Sequence, residues 1–263
     1  MIKLVISDID GTLIDETEVL SQTALEVAEY LRQRGVMLTL ATGRAEYIAE
    51  DYARRMGVTA PYITCNGATI VQGNEVLLHQ QIPLAPMRAM LERADAQGLS
   101  LIYTIEGKET VYRTTPWVEE QRRLFDRYHQ VHAFTEEEWN SWKVEKVTIM
   151  DNSLCGVIGQ YDQLCAQLPP EFGYTRYLDR AVEVVSSQAS KGAAARLLIQ
   201  RLGLQPEEVL AAGDHQNDID MIRMAGIGVA VGNATPQLKE QADYIAQGSC
   251  AQGLLEAVRH FIP

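Results

Sequence analysis

The sequence predicts an α/β protein with a doubly wound parallel sheet, into which a smaller α+β domain is inserted. Three observations support this fold class. Short apolar runs alternate with amphipathic stretches in the first third of the chain, the alternation returns in the last third, and the middle differs in composition. Strands that alternate with helices at this spacing are typical of βαβ units, whose parallel strands are covered by helices on both faces.

The first third contains three predicted strands and two predicted helices. The segment over residues 3–7 is short and rich in apolar residues, which is typical of a buried strand. The helix over residues 21–34 has Ser21 as its N-cap and Gly35 just past its end. The other predicted elements are strands over residues 36–41 and 62–65 and a helix over residues 46–56.

The last third repeats the same rhythm and supplies the second half of the predicted sheet. Its helix over residues 191–202 ends at Gly203. The elements that follow are strand 209–212, helix 218–225, strand 228–231, helix 236–241, strand 244–245 and helix 254–261.

The middle of the chain is predicted to be the inserted domain, over residues 84–185, with residues 1–83 and 186–263 forming the core. It holds 12 of the 18 aromatic residues, including all three tryptophans. These rings either stack on a ring of the substrate or form the core of the small domain itself. The predicted elements are strands 101–105, 110–113 and 146–150 and helices 86–97 and 161–167.

Composition and charge narrow the class of function. The 23 Lys and Arg against 35 Asp and Glu give a formal net charge of −12. Nucleic acids and anionic membranes recruit excess basic residues, so neither is an expected partner. No signal peptide is expected at the N-terminus, and no run approaches the ~18 apolar residues that span a bilayer. We therefore expect a soluble, cytoplasmic protein.

The cysteines fit the same compartment. Cys65, Cys155, Cys165 and Cys250 show no C-x-x-C spacing and no histidine at metal-ligand spacing. Free thiols in a reducing cytosol are the expected state of all four.

The first chemical signal is the pair Asp8 and Asp10, directly after the first predicted strand. Alternate residues of a strand point the same way, so both carboxylates face the ligand crevice if the strand conformation persists. Two carboxylates there repel each other unless a cation lies between them or one holds a proton. The pair predicts a divalent cation, with Mg²⁺ the usual partner of carboxylates and phosphate oxygens. Alternatively, it is only an acidic turn.

The second signal is the segment over residues 213–218, which follows another apolar strand. Asp214 is expected to complete a metal site with Asp8, and Asp218 to support that site from behind. Asp218 is also the acid that a helix N-terminus favours, and the two roles are compatible. His215 is either a metal ligand or general base, or a solvent-facing loop residue, and we leave it out of the catalytic set.

Two weaker signals lie where a phosphate would need them. Thr42 and Gly43 offer a hydroxyl and backbone N–H groups after the second strand. Lys191 opens a helix, where a cation opposes the helix dipole and a purely structural role is slightly disfavoured. Arg44 and Asn66 are candidate substrate contacts, although Asn66 with the following glycine is first of all a turn signal.

Four short segments that contain these candidate residues resemble the motifs of a known family. The segments DIDGT (residues 8–12), ATGR (41–44), SKGAA (190–194) and GDHQND (213–218) resemble the four motifs of the haloacid dehalogenase-like phosphatases. The inserted domain resembles the mobile α/β cap of the Cof-type members (subfamily IIB), which are sugar and metabolite phosphatases. The resemblance covers nearly the whole chain. His215 is a less usual residue in its motif, and Gln188-Ala189 replaces a more common Gly-Val-like pair.

The resemblance implies a role for each acid. Asp8 is expected to be the nucleophile that forms an aspartyl-phosphate, and Asp10 the general acid and base. Mg²⁺ is expected to be held by Asp8, the main-chain carbonyl of Asp10, and Asp214.

It also implies how the phosphoryl group is bound. Thr42, Gly43 and Lys191 are expected to bind the transferring oxygens, with Asn217 nearby. Asp218 is expected to orient the metal ligands or Lys191. The cap is expected to close over the site, exclude water and contact the leaving group.

The expected function is Mg²⁺-dependent hydrolysis of small phosphorylated metabolites, namely sugar phosphates or phosphorylated cofactors, by a monomer or homodimer. Two alternatives remain open. A phosphomutase uses the same aspartyl-phosphate chemistry but returns the phosphoryl group to a sugar. A non-catalytic phosphate-sensing module is disfavoured, because both Asp8 and Asp10 are present.

Overall fold

The computed structural model describes residues 1–151, 156–177 and 179–263. It divides into two compact units: Met1–Leu78 with Ser190–Pro263, called here the core unit, and His79–Ala189, called here the inserted unit. The boundaries expected from the sequence lie at 83/84 and 185/186, inside those of the inserted unit on both sides.

The core unit begins with strand–helix alternation and ends with it. Its elements are β1 (Leu4–Ser7), α1 (Gln22–Gln33), β2 (Met37–Leu40), α2 (Glu46–Arg55), β3 (Tyr62–Thr64), β4 (Thr69–Gln72), β5 (Glu75–His79), α7 (Lys191–Arg201), β13 (Val209–Gly213), α8 (Ile219–Met224), β14 (Ile227–Ala230), α9 (Pro236–Lys239), β15 (Tyr244–Ile245) and α10 (Cys250–Phe261). The inserted unit holds β6 (Ile82–Pro83), α3 (Arg88–Ala96), β7 (Ser100–Ile105), β8 (Lys108–Val111), α4 (Pro116–Phe125), α5 (Glu136–Ser141), β9 (Lys143–Val144), β10 (Lys146–Met150), α6 (Ile158–Cys165), β11 (Phe172–Tyr177) and β12 (Ala181–Ser186).

The core unit is built on a five-stranded parallel sheet in the order β15-β14-β13-β1-β2. Alternate residues of β1 serve opposite faces of this sheet. Val5 packs with α1 and α10, while Leu4 and Ile6 pack with α7 and α8. Helices on both faces confirm the predicted doubly wound architecture.

The third predicted strand behaves differently from the expectation. Tyr62–Thr64 turns back and pairs antiparallel with Thr69–Gln72, in a separate three-stranded sheet in the order β3-β4-β5. It is joined to the parallel sheet by a parallel bridge between Ala41 and Ile63. The pairing changes because three residues with left-handed backbone, residues 65–67, reverse the chain directly after β3.

The inserted unit is α+β, as its composition predicts. An antiparallel sheet in the order β11-β12-β10-β7-β8 packs against α3 and α6, and β6 pairs with β9. The strands β11 and β12 and the helices α4 and α5 were not predicted from the sequence. Helix signals were present, since Thr115 and Thr135 cap α4 and α5 through their side chains.

Half of the twelve aromatic residues of the inserted unit form its own core, which supports that alternative for these residues. Six are buried in one apolar cluster, with rings such as those of Phe134 and Trp139 4.7 Å apart. The six are Tyr103, Tyr112, Phe134, Trp139, Tyr161 and Phe172. Trp117 packs on Tyr128 outside this cluster.

Three of the cysteines, Cys65, Cys165 and Cys250, are free thiols, as expected, and Cys155 lies outside the described residues. Among the described helices, none has the length and apolar character needed to cross a membrane.

Candidate active site

The nucleophile candidate Asp8 lies directly after β1 and is 4% exposed. Its backbone N–H donates to the carbonyl of Ala212, so β13 fixes its position beside the next strand end. Its carboxylate accepts a hydrogen bond from Lys191 at 2.6 Å. Burial raises the pKa of Asp8 well above its usual range, and neighbouring carboxylates add to this, while the Lys191 ammonium lowers it.

Lys191 is the cation at the centre of the site. Ser190 caps α7 through its side chain, so Lys191 is the first helical residue. Its Nζ is buried and donates to one oxygen of Asp8 and one oxygen of Asp218, both at 2.6 Å. Burial opposes the charged ammonium, but Asp218 and Asp8 outweigh that effect and raise the pKa of Lys191. Lys191 therefore remains charged between two carboxylates.

Asp214 reaches the site because the chain at Gly11 leaves room for it. Gly11 has φ +76°, and a Cβ there would lie 2.3 Å from Asp214 Oδ2. The hydroxyl of Thr12 donates to Asp214 Oδ1 at 3.3 Å. Burial, followed by the charge of Asp218, raises the pKa of Asp214 to about 7.

Asp218 is fully buried and positions other residues of the site. Its Oδ2 accepts from the backbone N–H groups of Asp214 and His215, at 3.0 and 3.1 Å, and its Oδ1 accepts from Lys191. Asp218 therefore orients both the Asp214 loop and the lysine. Burial lowers the pKa of His215.

The acidic cluster has the donor set of a divalent cation site. Asp8, Asp214 and Asp218 each offer a carboxylate oxygen, and these oxygens lie within 4.8 Å of one another. Three carboxylates carry more negative charge than the one ammonium of Lys191 can neutralise. This repulsion adds to the effect of burial and helps to raise the pKa values of Asp8 and Asp214. A hard dication bound to these oxygens would neutralise the excess negative charge, so the residues present fit Mg²⁺.

Asp10 is oriented differently from Asp8. Strand β1 ends at Ser7, so the expected alternation does not extend to Asp10. Its side chain is half exposed and accepts hydrogen bonds from Arg44, with Nε on Oδ2 at 2.8 Å and Nη2 on Oδ1. Arg44, a predicted substrate contact, also lies 3.3 Å from Glu18. The contact between Arg44 and Asp10 was not predicted, because nothing in the spacing of these residues indicates it.

The predicted phosphate-binding turn after β2 is buried and well ordered by hydrogen bonds. The hydroxyl of Thr42 accepts from the backbone N–H of Arg44 at 3.1 Å, and Thr42 N–H donates to the carbonyl of Ile63. Asn217, also a predicted phosphate ligand, donates from Nδ2 to Asn66 Oδ1 at 2.9 Å. The structure thus brings Asn66 together with Asn217 in the core unit.

A doubly wound sheet that carries a buried lysine among three aspartates at its carboxyl edge defines an α/β enzyme with an acidic centre. Residues 5–258 match the haloacid dehalogenase-like hydrolases, and the chain belongs to this family.

Individual relatives refine the class. The chain is 26% identical over 261 residues to the 5-amino-6-(5-phospho-D-ribitylamino)uracil phosphatase of Bacillus subtilis, covering 99% of this chain and 96% of that protein. It resembles the structure of a haloacid dehalogenase-like hydrolase from Bacteroides thetaiotaomicron, with TM-score 0.84, 25% identity and full coverage of both chains. It also resembles a subclass IIB sugar phosphatase, with TM-score 0.81, 26% identity and 98% of each chain covered. The chain is thus a subclass IIB phosphatase, a phosphoric monoester hydrolase.

Proposed function

We propose that the protein is an Mg²⁺-dependent phosphatase that hydrolyses small phosphorylated metabolites through an aspartyl-phosphate on Asp8. The observation that carries this proposal is the buried contact of 2.6 Å between Lys191 and Asp8, within an acidic cluster that fits a dication. The subclass IIB likeness supports the reaction class.

The cation site is assigned to Asp8, the main-chain carbonyl of Asp10, and Asp214. When bound there, Mg²⁺ would neutralise the charge that builds up between a carboxylate and a phosphate dianion.

In the first half-reaction, Asp8 attacks phosphorus in line and forms a bond from its carboxylate oxygen to the phosphoryl group. The bond from phosphorus to the ester oxygen breaks, and Asp10 gives its proton to that oxygen. For this step the Asp10 carboxyl has to exchange its contact with Arg44 for one with the leaving group.

In the second half-reaction, a water molecule attacks phosphorus and its proton passes to Asp10. The bond from phosphorus to Asp8 breaks, which releases inorganic phosphate and restores the Asp8 carboxylate. One residue serves both steps because it changes its protonation state between them.

The transferring oxygens are assigned to the hydroxyl of Thr42, the backbone N–H of Gly43, the Lys191 ammonium and the amide of Asn217. Phosphoryl transfer has a loose transition state, so positioning and charge neutralisation supply most of the acceleration. The buried turn after β2 and the Lys191 contacts suit that task because they are held in place by hydrogen bonds.

The family likeness supports the proposed class of substrate. We assign the choice of ester to the inserted domain, residues 84–185, and expect sugar phosphates or phosphorylated cofactors among the substrates.

The test is phosphate release from a panel of phosphorylated sugars and cofactors, with Mg²⁺ or with chelator. Wild type is compared with Asp8→Asn and with Asp51→Asn, which removes an exposed acid of α2 that pairs with Arg54. Release that needs Mg²⁺, is lost in Asp8→Asn and is kept in Asp51→Asn supports the proposal. Little phosphate release from any ester, together with isomerisation of a sugar monophosphate that depends on a sugar bisphosphate activator, would favour a phosphomutase instead.

A further inference from the structure

The turn after β3 has an unusual backbone. Cys65, Asn66 and Gly67 have φ values of 49°, 55° and 95° in succession, and all three residues are buried. A left-handed backbone costs free energy at residues that carry a Cβ, and it persists where the surroundings hold it in place. The surroundings of this buried turn must therefore stabilise its left-handed backbone.

The backbone of this turn is tied to the predicted phosphate-binding turn. Asn66 N–H donates to the carbonyl of Thr42 at 3.0 Å, and Cys65 N–H donates to the carbonyl of Arg44 at 2.9 Å. The side-chain amide of Asn66 lies against Gly43, where a Cβ would come within 3.2 Å of Asn66 Oδ1. The turn therefore sets the position of residues 42–44.

The same turn also contacts the other two loops of the site. A Cβ on Gly67 would lie 2.2 Å from the carbonyl oxygen of Ser190, the residue that caps the helix beginning with Lys191. Asn66 Oδ1 accepts from Asn217 Nδ2 at 2.9 Å. Three separate segments that carry the assigned phosphate ligands thus meet on one strained turn.

We infer that Asn66 is a positioning residue, whose side-chain amide holds Asn217 and whose backbone holds the residue 42–44 turn in register for the transferring phosphoryl group. This rests on the proposed function. Asn66 is 4% exposed and its amide is turned to Asn217, so it acts through that residue rather than as a substrate contact. Asparagine suits the position because it tolerates left-handed backbone better than most residues and supplies an acceptor.

The decisive variant is Asn66→Gly, which keeps the left-handed backbone and removes the amide. A matched control is Asp126→Gly, because Asp126 has nearly the same backbone, with φ 54° and ψ 40°, at an exposed helix end in the inserted unit. We expect Asn66→Gly to lower kcat by about 10- to 100-fold and to raise KM about ten-fold, because both catalysis and phosphate binding depend on the oriented ligands. Asp126→Gly should keep wild-type kcat.

A double variant separates positioning from a merely structural role. If Asn66 acts through Asn217, then Asn66→Gly combined with Asn217→Ala should be no slower than Asn217→Ala alone. Losses in kcat that multiply, or wild-type kcat in Asn66→Gly, would overturn the inference. Should Asn66→Gly fail to fold, Asn66→Asp decides, because it keeps an acceptor for Asn217. Its kcat should stay close to wild type, and a loss as large as that of Asn217→Ala would contradict the role.

Calorimetric binding of inorganic phosphate in the presence of Mg²⁺ separates this inference from the proposed function. If wild type releases no phosphate from any ester, the proposed function fails. The inference then stands if Asn66→Gly weakens phosphate binding about ten-fold or more relative to wild type and Asp126→Gly. It fails if the two variants bind phosphate equally, or if wild type does not bind it.

Discussion

Arg44 donates to both carboxylate oxygens of Asp10, from Nε at 2.8 Å and from Nη2. The guanidinium is buried, and it also faces Glu18 and the ring of Tyr52. The proposed acid and base is therefore gripped by a forked, permanently charged group that cannot take part in proton transfer itself. The contact fixes the position of the Asp10 carboxyl until that carboxyl turns to the leaving group.

We predict that Arg44→Lys lowers kcat about ten-fold or more, because lysine keeps the charge but loses the fork that orients Asp10. Steady-state kinetics on the best substrate of the panel measures this. Arg32→Lys is the control, since Arg32 makes a similar forked contact with Glu29 on the exposed face of α1. Equal kcat in the two variants would contradict a role for Arg44 in orienting Asp10.

Loss of Lys191 should cost stability as well as activity. Lys191→Met leaves Asp8 and Asp218 buried without their shared cation, and breaking a buried pair in this way typically costs about 3–5 kcal/mol. Lys3→Met removes an exposed pair with Glu208 and should cost less than about 1 kcal/mol. Urea denaturation at neutral pH compares the two. Similar small losses would mean that Lys191 is not the central counter-charge.

The stability of the metal-free protein should fall as pH rises. Burial raises the pKa of Asp214 to about 7 in the folded protein, above its ordinary value of 3.8. Between these two pH values the folded protein binds the extra proton, so this group's contribution to the free energy of unfolding decreases with increasing pH. Thermal unfolding in chelator from pH 4 to pH 8 tests this. The fall should be smaller in Asp214→Asn and should be opposed by Mg²⁺, and an unchanged slope in that variant would contradict the assignment.

Gly11→Ala should damage the cation site. Its Cβ would meet the Asp214 carboxylate at 2.3 Å, in a backbone with φ +76°. Gly35→Ala is the matched control, because Gly35 has φ +68° and open space around it. The control should cost about 1–2 kcal/mol of stability and leave Mg²⁺ binding intact. Gly11→Ala should lose more stability and weaken Mg²⁺ binding measured by calorimetry, and equal Mg²⁺ affinity in both variants would refute this reading of the site.

The parallel sheet and the motifs at the ends of its strands could be predicted from the sequence. Buried strands and capped helices are recognisable from residues that are close together along the chain. Strand β1, for example, is an apolar run followed directly by Asp8, and Ser190 and Lys191 open α7. Such signals depend on near neighbours along the chain.

The contacts that set the geometry were harder to predict. The clamp of Arg44 on Asp10 and the contact of Asn66 with Asn217 join residues that are 34 and 151 positions apart. Which of several polar groups a long side chain reaches depends on packing in three dimensions, and motif spacing does not specify it. The hairpin of β3 with β4 was missed for a related reason, since the backbone at Cys65 is left-handed, which residue type alone does not indicate.

The most direct test of the central claim is chemical trapping of the intermediate on Asp8. Wild-type protein with Mg²⁺ and its best substrate is quenched during turnover with borohydride, which reduces an acyl-phosphate to an alcohol, and the peptides are analysed by mass spectrometry. Homoserine is expected at position 8, and its formation should depend on substrate and on Mg²⁺. Trapping at another residue, or none at position 8 while phosphate is released, would contradict it.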